Sequence, residues 1–333
     1  MSSIDYVQAV PRIRSIENRL LDRAKIERLV DSASAHEAFK ILQETAYGSL
    51  MDNIKRPEEY EIILSEELKR LYSFMYEISP NKKLIDIMSL RYDYHNIKVI
   101  LKGEALNKDF SELLIPVGTV KPTKLKSYII DRNYRELTSI MREGIEKARE
   151  SFEEEKDPQK IDIILDKFMY KDMYYRALEL NEPYLIKFIE MNIDLINIRT
   201  LVRVKKQNKG RKFLEEVLLE DGKINKNDLI EMINGSIENI AVKLQSSDYV
   251  DIVKSGLEEY TQSNSLNTFE KLSDNFIMDF IKDAKYVAFG IEPLLAYIFA
   301  KENEIRILRI IMVGKLNNID ADVIRERLRD IYV

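Results

Sequence analysis

Apolar residues recur along this chain every three or four positions. Leu64, Leu68, Leu71 and Met75 step by four, three and four; Ile164, Phe168 and Met169, then Met173, fall on one helical face in the same way, and Ile305, Leu308 and Met312 continue the pattern late in the chain. Such stripes predict amphipathic helices with one buried face, and the strict alternation of a half-buried strand is hard to find. Polar residues mark where helices start. Ser34 followed by Glu37 reads as a capping box before Ala38, Phe39 and Leu42, with hydroxyl and carboxylate satisfying free backbone N–H groups. Asp157-Pro158 and Asn181-Glu182-Pro183 place a proline near a first turn, where its missing N–H is no loss.

Three interruptions read as connectors. Phe110 to Thr123 gathers Pro116, Gly118 and Pro122; Lys205 to Lys212 is strongly polar; Ser246 to Ser265 is the third, with a helix expected across Tyr249 to Tyr260.

The helical pattern also repeats at long range. Asp93-Tyr94-His95-Asn96-Ile97-Lys98, Asp194-Leu195-Ile196-Asn197-Ile198-Arg199 and Lys301-Glu302-Asn303-Glu304-Ile305-Arg306 share a polar residue, an isoleucine, a cation and then an apolar stripe. Ile97, Ile198 and Ile305 stand 101 and 107 residues apart. Each segment follows a proline (Pro80, Pro183, Pro293) and runs to a glycine (Gly103, Gly210, Gly314), which is the bracket expected of a helix. An amphipathic run precedes each proline: Leu64 to Tyr76, Ile164 to Leu178 and Phe269 to Ile281. A period of about 100 residues is a small domain, too long for a solenoid repeat. The expected fold is all-α, with three similar helical subdomains over residues 1–108, 109–212 and 213–333, able to close into a roughly three-fold body.

Composition supports helices. Only 10 glycines and 8 prolines occur in 333 residues, whereas sheet proteins need turn residues often. Hydrophobic residues make up 45% and charged residues 33%, enough to build a core. The net charge of -5 comes from 52 basic and 57 acidic residues, so nucleic acid is not expected as a partner. The absence of cysteine removes disulfides, thiolate metal sites and cysteine nucleophiles, and fits a reducing compartment. Charges at Asp5, Arg12, Arg14 and Glu17 break up the N-terminal apolar residues, so no signal peptide is expected. No apolar run approaches the roughly 20 residues that span a bilayer; the richest, Pro293 to Ala300, stops at Lys301.

No catalytic motif stands in the chain, although general-base roles stay open to its 57 carboxylates. An enzyme with an unrecognised carboxylate site is a further reading, which nucleotide or metal titration would test. Gly314-Lys315 is followed by Leu316 and preceded five positions earlier by Arg309, so a phosphate-cradling loop fails twice. His36-Glu37 opens a zinc-protease motif, but Lys40 stands where the second histidine belongs, and His95 is alone in its helix. No catalytic, cofactor or metal residue is assigned. Three features have two readings each. Lys98, Arg199 and Arg306 are either equivalent contacts for a partner or pairs with nearby carboxylates that fix helix packing. The basic cluster of Arg203, Lys205, Lys206, Lys209, Arg211 and Lys212 either meets an acidic surface or is a solvated connector. Tyr170, Tyr174 and Tyr175 read as core and interface filler whose hydroxyls need partners.

The C-terminal stretch is the most specific part of the chain. It runs Phe289-Gly290-Ile291-Glu292-Pro293-Leu294-Leu295-Ala296-Tyr297, then Lys301-Glu302-Asn303-Glu304-Ile305-Arg306, Gly314-Lys315-Leu316-Asn317 and Ile324-Arg325-Glu326-Arg327-Leu328-Arg329, closing on Tyr332-Val333. With Tyr92-Asp93-x-x-Asn96-Ile97-Lys98 and the N-terminal Tyr6-Val7, Arg12 and Arg14, it resembles the C subunit of archaeal-type and bacterial V-type ATPases, the relative of the eukaryotic d subunit. The family often has glycine after Lys-Leu-Asn, where this chain has Asn318, a residue that also tolerates the left-handed turn. The resemblance covers essentially the whole chain. It implies three helical domains arranged as a funnel on the cytoplasmic face of the proteolipid ring. There the protein would receive the central stalk and turn with it, binding no nucleotide and moving no ion, while torque couples ATP synthesis or hydrolysis to H⁺ or Na⁺ transport. A helical adaptor for soluble protein partners is the competing reading, and sedimentation with membranes and proteolipid separates the two.

Overall fold

Helices make up the regular structure of this chain, and no strand is present among the described residues. The computed structural model describes residues 6–263 and 265–333; Asp5 and Asn264, which fall in the N-terminal segment and the third connector, lie outside them. In chain order the helices are α1 (Ala9–Glu17), α2 (Arg23–Asp31), α3 (Ala35–Gln43), α4 (Tyr60–Ile78), α5 (Lys82–Leu106), α6 (Pro122–Ile130), α7 (Ser139–Glu155) and α8 (Pro158–Leu180). Then come α9 (Pro183–Lys206), α10 (Arg211–Val217), α11 (Lys226–Glu231), α12 (Ile237–Lys243), α13 (Val250–Ser263), α14 (Asn267–Lys282), α15 (Glu292–Leu316) and α16 (Ala321–Arg327).

The chain forms two compact units. One joins Met1–Lys82 to Glu270–Val333; the other is Lys83–Phe269. In the first, α15 is the central helix, and α1, α3, α4 and α16 pack around it. Its apolar residues are buried on almost every side, from Leu294 and Leu295 through Ile298, Ile307 and Leu308 to Ile311, as expected of a helix enclosed by others. α4 buries a single stripe, Ile63, Leu64, Leu68, Leu71, Tyr72 and Met75, against it. In the second unit α7 packs on α8, α8 on α9, and α9 carries α10 and α11. Each fully buried leucine or isoleucine in these cores stabilises by roughly 1.5–3 kcal/mol.

The start signals act as their chemistry dictates. Ser34 Oγ accepts the Glu37 N–H at 3.2 Å, and the Glu37 carboxylate reaches back to the Ala33 N–H at 2.6 Å. Asp157 accepts the Gln159 N–H at 2.9 Å before Pro158 opens α8, and Pro183 opens α9. The glycine bracket is different. Gly103 and Gly314 lie inside α5 and α15, and Gly210 precedes α10. The three long helices end instead on Asn107, Asn208 and Asn318, with φ of 50°, 52° and 53°. In each case the next N–H returns five residues: Lys108 to the Gly103 carbonyl, Lys209 to Val204, Ile319 to Gly314. This is the Schellman closure, with asparagine as its left-handed residue. A short polar side chain is the one alternative to glycine that enters this region readily. Asn318 therefore keeps the turn.

Candidate functional site

Asn96 is fully buried on α5. Its Nδ2 donates to the Ile115 carbonyl at 2.8 Å, and its Oδ1 accepts the Ile115 N–H at 2.8 Å. One side chain thus gives a passing loop residue both partners that a neighbouring strand would give. Asn197 on α9 does the same to Leu219, at 3.0 and 2.8 Å. One turn earlier on each helix stands a buried aspartate. Asp93 accepts the N–H groups of Thr119 and Val120 at 2.8 and 3.0 Å, and the Thr119 hydroxyl at 2.6 Å. Asp194 accepts the Ile224 N–H at 2.9 Å and the Tyr249 hydroxyl at 2.8 Å.

Three residues past each latched residue comes a glycine, Gly118 or Gly222, where a Cβ would collide with the carboxylate of Asp93 or Asp194. Burial raises the pKa of both aspartates, opposed by the hydrogen bonds they accept. The third long helix holds a reduced version. Asn303 donates to the Asp330 carbonyl at 2.9 Å, its Oδ1 is taken by Arg306 at 3.0 Å, and Ala300 stands where the aspartate would be.

The three cations that stand out in the sequence occupy three different settings. Lys98 meets Asp166 at 2.5 Å. It is the middle rung of a ladder between α5 and α8, flanked by Lys102 on Asp162 at 2.6 Å and the Tyr94 hydroxyl on Asp172 at 3.2 Å. Arg199 is half-buried on α9 and, with Arg91, acts electrostatically on Tyr170, whose pKa burial pushes up to about 12 against those charges. Arg306 is 44% exposed and 3.4 Å from Asp274, which Arg329 holds at 2.8 Å. The asparagines, not the cations, are therefore the repeated element. Their signal is the Asp-x-x-Asn spacing of the first two segments; the third keeps only the asparagine, Asn303, which matching on isoleucine and cation puts one position out of register.

The basic cluster is largely occupied. Lys205 Nζ donates to the carbonyls of Met232, Ile233 and Gly235 at 3.2, 2.7 and 2.5 Å, and Arg211 pairs with Glu215 at 2.7 Å. Lys206 and Lys209 lie over the rings of Tyr260 and Phe213. Tyr174 and Tyr175 meet edge to face at 6.2 Å. His95 contacts the Leu113 carbonyl through Nε2 at 2.9 Å.

A charged cluster that sequence reasoning does not bring together lies in the first unit. Lys301, 3% exposed, meets Glu67 at 2.8 Å and Glu304 at 2.6 Å, and its ammonium lies 4.6 Å from the centre of the Tyr47 ring. Glu304 also accepts the Tyr47 hydroxyl at 2.7 Å and the Leu21 N–H at 2.5 Å; Arg70 meets Glu67 at 2.5 Å. The network ties α4 and α15 to Tyr47, in the turn after α3, and to the segment before α2. Burial works to lower the Lys301 pKa, but Glu304 and Glu67 outweigh it and raise it. Burial and the same two carboxylates hold the Tyr47 hydroxyl well above its usual range. Such a network fixes geometry; it contains no nucleophile paired with a base. No group of three metal-ligating side chains occurs among the described residues, and none of their helices is long and apolar enough to cross a membrane.

A match to known sequences decides the family. The model of the ATP synthase (C/AC39) subunit family matches residues 9–327. The chain belongs to this C/AC39 family. Among its relatives, the C subunit of the V-type sodium ATPase from Enterococcus hirae is 29% identical over 99% of both chains. The C subunit of the A-type ATP synthase from Methanocaldococcus jannaschii is 28% identical, over 97% of this chain and 85% of that one. That of Thermococcus kodakarensis is 24% identical, over 95% and 88%. The C/AC39 protein is a non-catalytic accessory component of V/A-type ATPases, not their catalytic subunit.

Proposed function

We propose that this chain is the rotor coupling of a V/A-type ATPase or ATP synthase. It joins the central stalk to the membrane proteolipid ring and carries torque between them, so that ATP synthesis or hydrolysis drives, or is driven by, H⁺ or Na⁺ transport. The observation that carries the reading is the family match along nearly the whole chain. It stands at the cytoplasmic face as a peripheral subunit, its three helical units (1–108, 109–212 and 213–333) set as a funnel about a pseudo-three-fold axis. The buried Glu67–Lys301–Glu304 network and the two-bond latches at Asn96 and Asn197 suit that task, because a coupling part must not deform under load. We assign Lys98 to packing, on the strength of its ladder, and Arg306 to the surface that meets a partner.

Affinity purification of the tagged chain from membranes tests this. Proteolipid and stalk subunits should come with it. Arg306→Glu should leave the chain folded while ATP hydrolysis runs without ion transport. A chain that stays wholly outside the membrane fraction and brings down no ATPase subunit refutes the reading in favour of a soluble adaptor.

A further inference from the structure

One loop of the first unit projects aromatic rings that the cores do not use. Between α14 and α15 the chain makes a 3-10 turn, Asp283–Tyr286, and then continues to Gly290. Tyr286 is 90% exposed and Phe289 is 52% exposed. The base of this loop is built, not loose. Arg14 Nη2 donates to the carbonyls of Ala284 and Val287 at 2.7 and 3.0 Å, while its Nη1 grips both oxygens of Glu17 at 2.9 Å. The Tyr332 hydroxyl donates to Glu17 at 3.1 Å, and the Lys285 ammonium lies 4.7 Å from the centre of the Tyr332 ring. Gly290, at φ 141°, turns the chain into α15, and a Cβ there would collide with Glu292.

From these features we infer that the Tyr286–Phe289 tip is a lipid anchor, whose rings enter the boundary between headgroups and acyl chains. The inference rests on the reading of the chain as a peripheral subunit held against a membrane. The protein covers only about a tenth of the Tyr286 surface and half of Phe289, which leaves both rings open to a soft medium that closes around them. The Ala284 and Val287 carbonyls already have donors, so lowering the tip strips less water from unpaired backbone. A phenol and a phenyl ring within four residues match the aromatic residues that favour the membrane interface. Lys285 stands at the foot of the tip with a stem long enough to keep its charge among the headgroups.

The local charge is balanced. Lys282 pairs with Asp279 at 3.4 Å and Arg14 with Glu17, while Lys285 is offset by the exposed Asp283. Attraction to anionic lipid is therefore not the driving force, and the rings are. Two rings alone give weak, reversible binding, which becomes effective when the rest of a complex holds the tip at the surface.

The chain contains no tryptophan, so Phe289→Trp introduces a single reporter. The purified full-length variant is titrated with phosphatidylcholine vesicles to millimolar lipid. The expected result is blue-shifted emission, quenched by brominated acyl chains and unchanged in about 0.5 M salt, where charge attraction is screened within a few Å. Adding Tyr286→Ser should weaken partitioning about tenfold, the loss expected from one partly buried ring. Absence of a shift, or a shift abolished by salt, overturns the inference. So does a shift that appears only with detergent-solubilised proteolipid ring, since the tip would then dock on protein. A chain that fails these tests yet still purifies with proteolipid loses the anchor and keeps the rotor reading.

Discussion

Replacing Lys301 by methionine keeps the apolar stem and removes the one charge that sits between two buried carboxylates. Lys301 and Glu67 are each 3% exposed and Glu304 is scarcely more so, leaving water little access to either acid. Breaking a buried pair costs roughly 3–5 kcal/mol, most of it the charge left behind. Here both acids keep other partners: Glu304 retains the Tyr47 hydroxyl and the Leu21 N–H, and Glu67 retains its ion pair with Arg70. We therefore expect the low end, about 3 kcal/mol. Lys301→Met combined with Glu67→Leu should cost less than Lys301→Met alone, since one stranded charge goes with its partner.

Urea unfolding measures the total, and hydrogen exchange at the Leu21 amide, bonded to Glu304, reports locally. Because the folded-state pKa of Lys301 is raised, its contribution is complete below the pKa of free lysine and disappears as the pH climbs through the folded value. The penalty of the substitution should accordingly shrink in strong alkali. A cost under about 1 kcal/mol with unchanged Leu21 protection would show that the network holds nothing, since that is the scale of a surface pair.

The latches make a ranked set of expectations. Asn197→Ala leaves the N–H and carbonyl of Leu219 buried and unpaired and should cost about 2–4 kcal/mol in chemical denaturation, whereas Asn303→Ala removes one bond to the Asp330 carbonyl and one from the exposed Arg306, which water can replace, and should cost about half as much; equal costs would contradict the assignment. Gly118→Ala and Gly222→Ala push a methyl group into Asp93 and Asp194 and should each cost about 1–3 kcal/mol. Gly210→Ala, with nothing within 4 Å of the added carbon, should cost at most about 1 kcal/mol.

Much of this architecture is legible in the sequence because helices announce themselves locally. Pro158 and Pro183 open α8 and α9, and the stripe from Leu64 to Met75 lies within α4, since periodicity and proline act over a few residues. The helix ends are harder to read. Gly103 and Gly314 resemble stops, yet asparagine supplies the left-handed residue in all three long helices. The repeated site is half legible. Asp-x-x-Asn stands in the first two segments, but what the side chains grip lies 19 and 22 residues downstream, in loops without a regular pattern. The Glu67–Lys301–Glu304 network is not legible as a network: Lys301 and Glu304 stand out in the third repeated segment, but Glu67 lies more than two hundred residues away and reads as an ordinary polar position.

That separation bears on how the chain comes into being. The Leu21 amide and the Tyr47 hydroxyl find their acceptor on Glu304, 283 and 257 residues later. During synthesis the first 82 residues leave the ribosome without the helix they are to surround, while Lys83–Phe269 can complete its own contacts first. Until α15 emerges, the apolar faces of α1, α3 and α4 lack the helix they pack on. A nascent chain that terminates before residue 301 leaves Glu67 with Arg70 as its one remaining counter-ion and α4 without its partner helix.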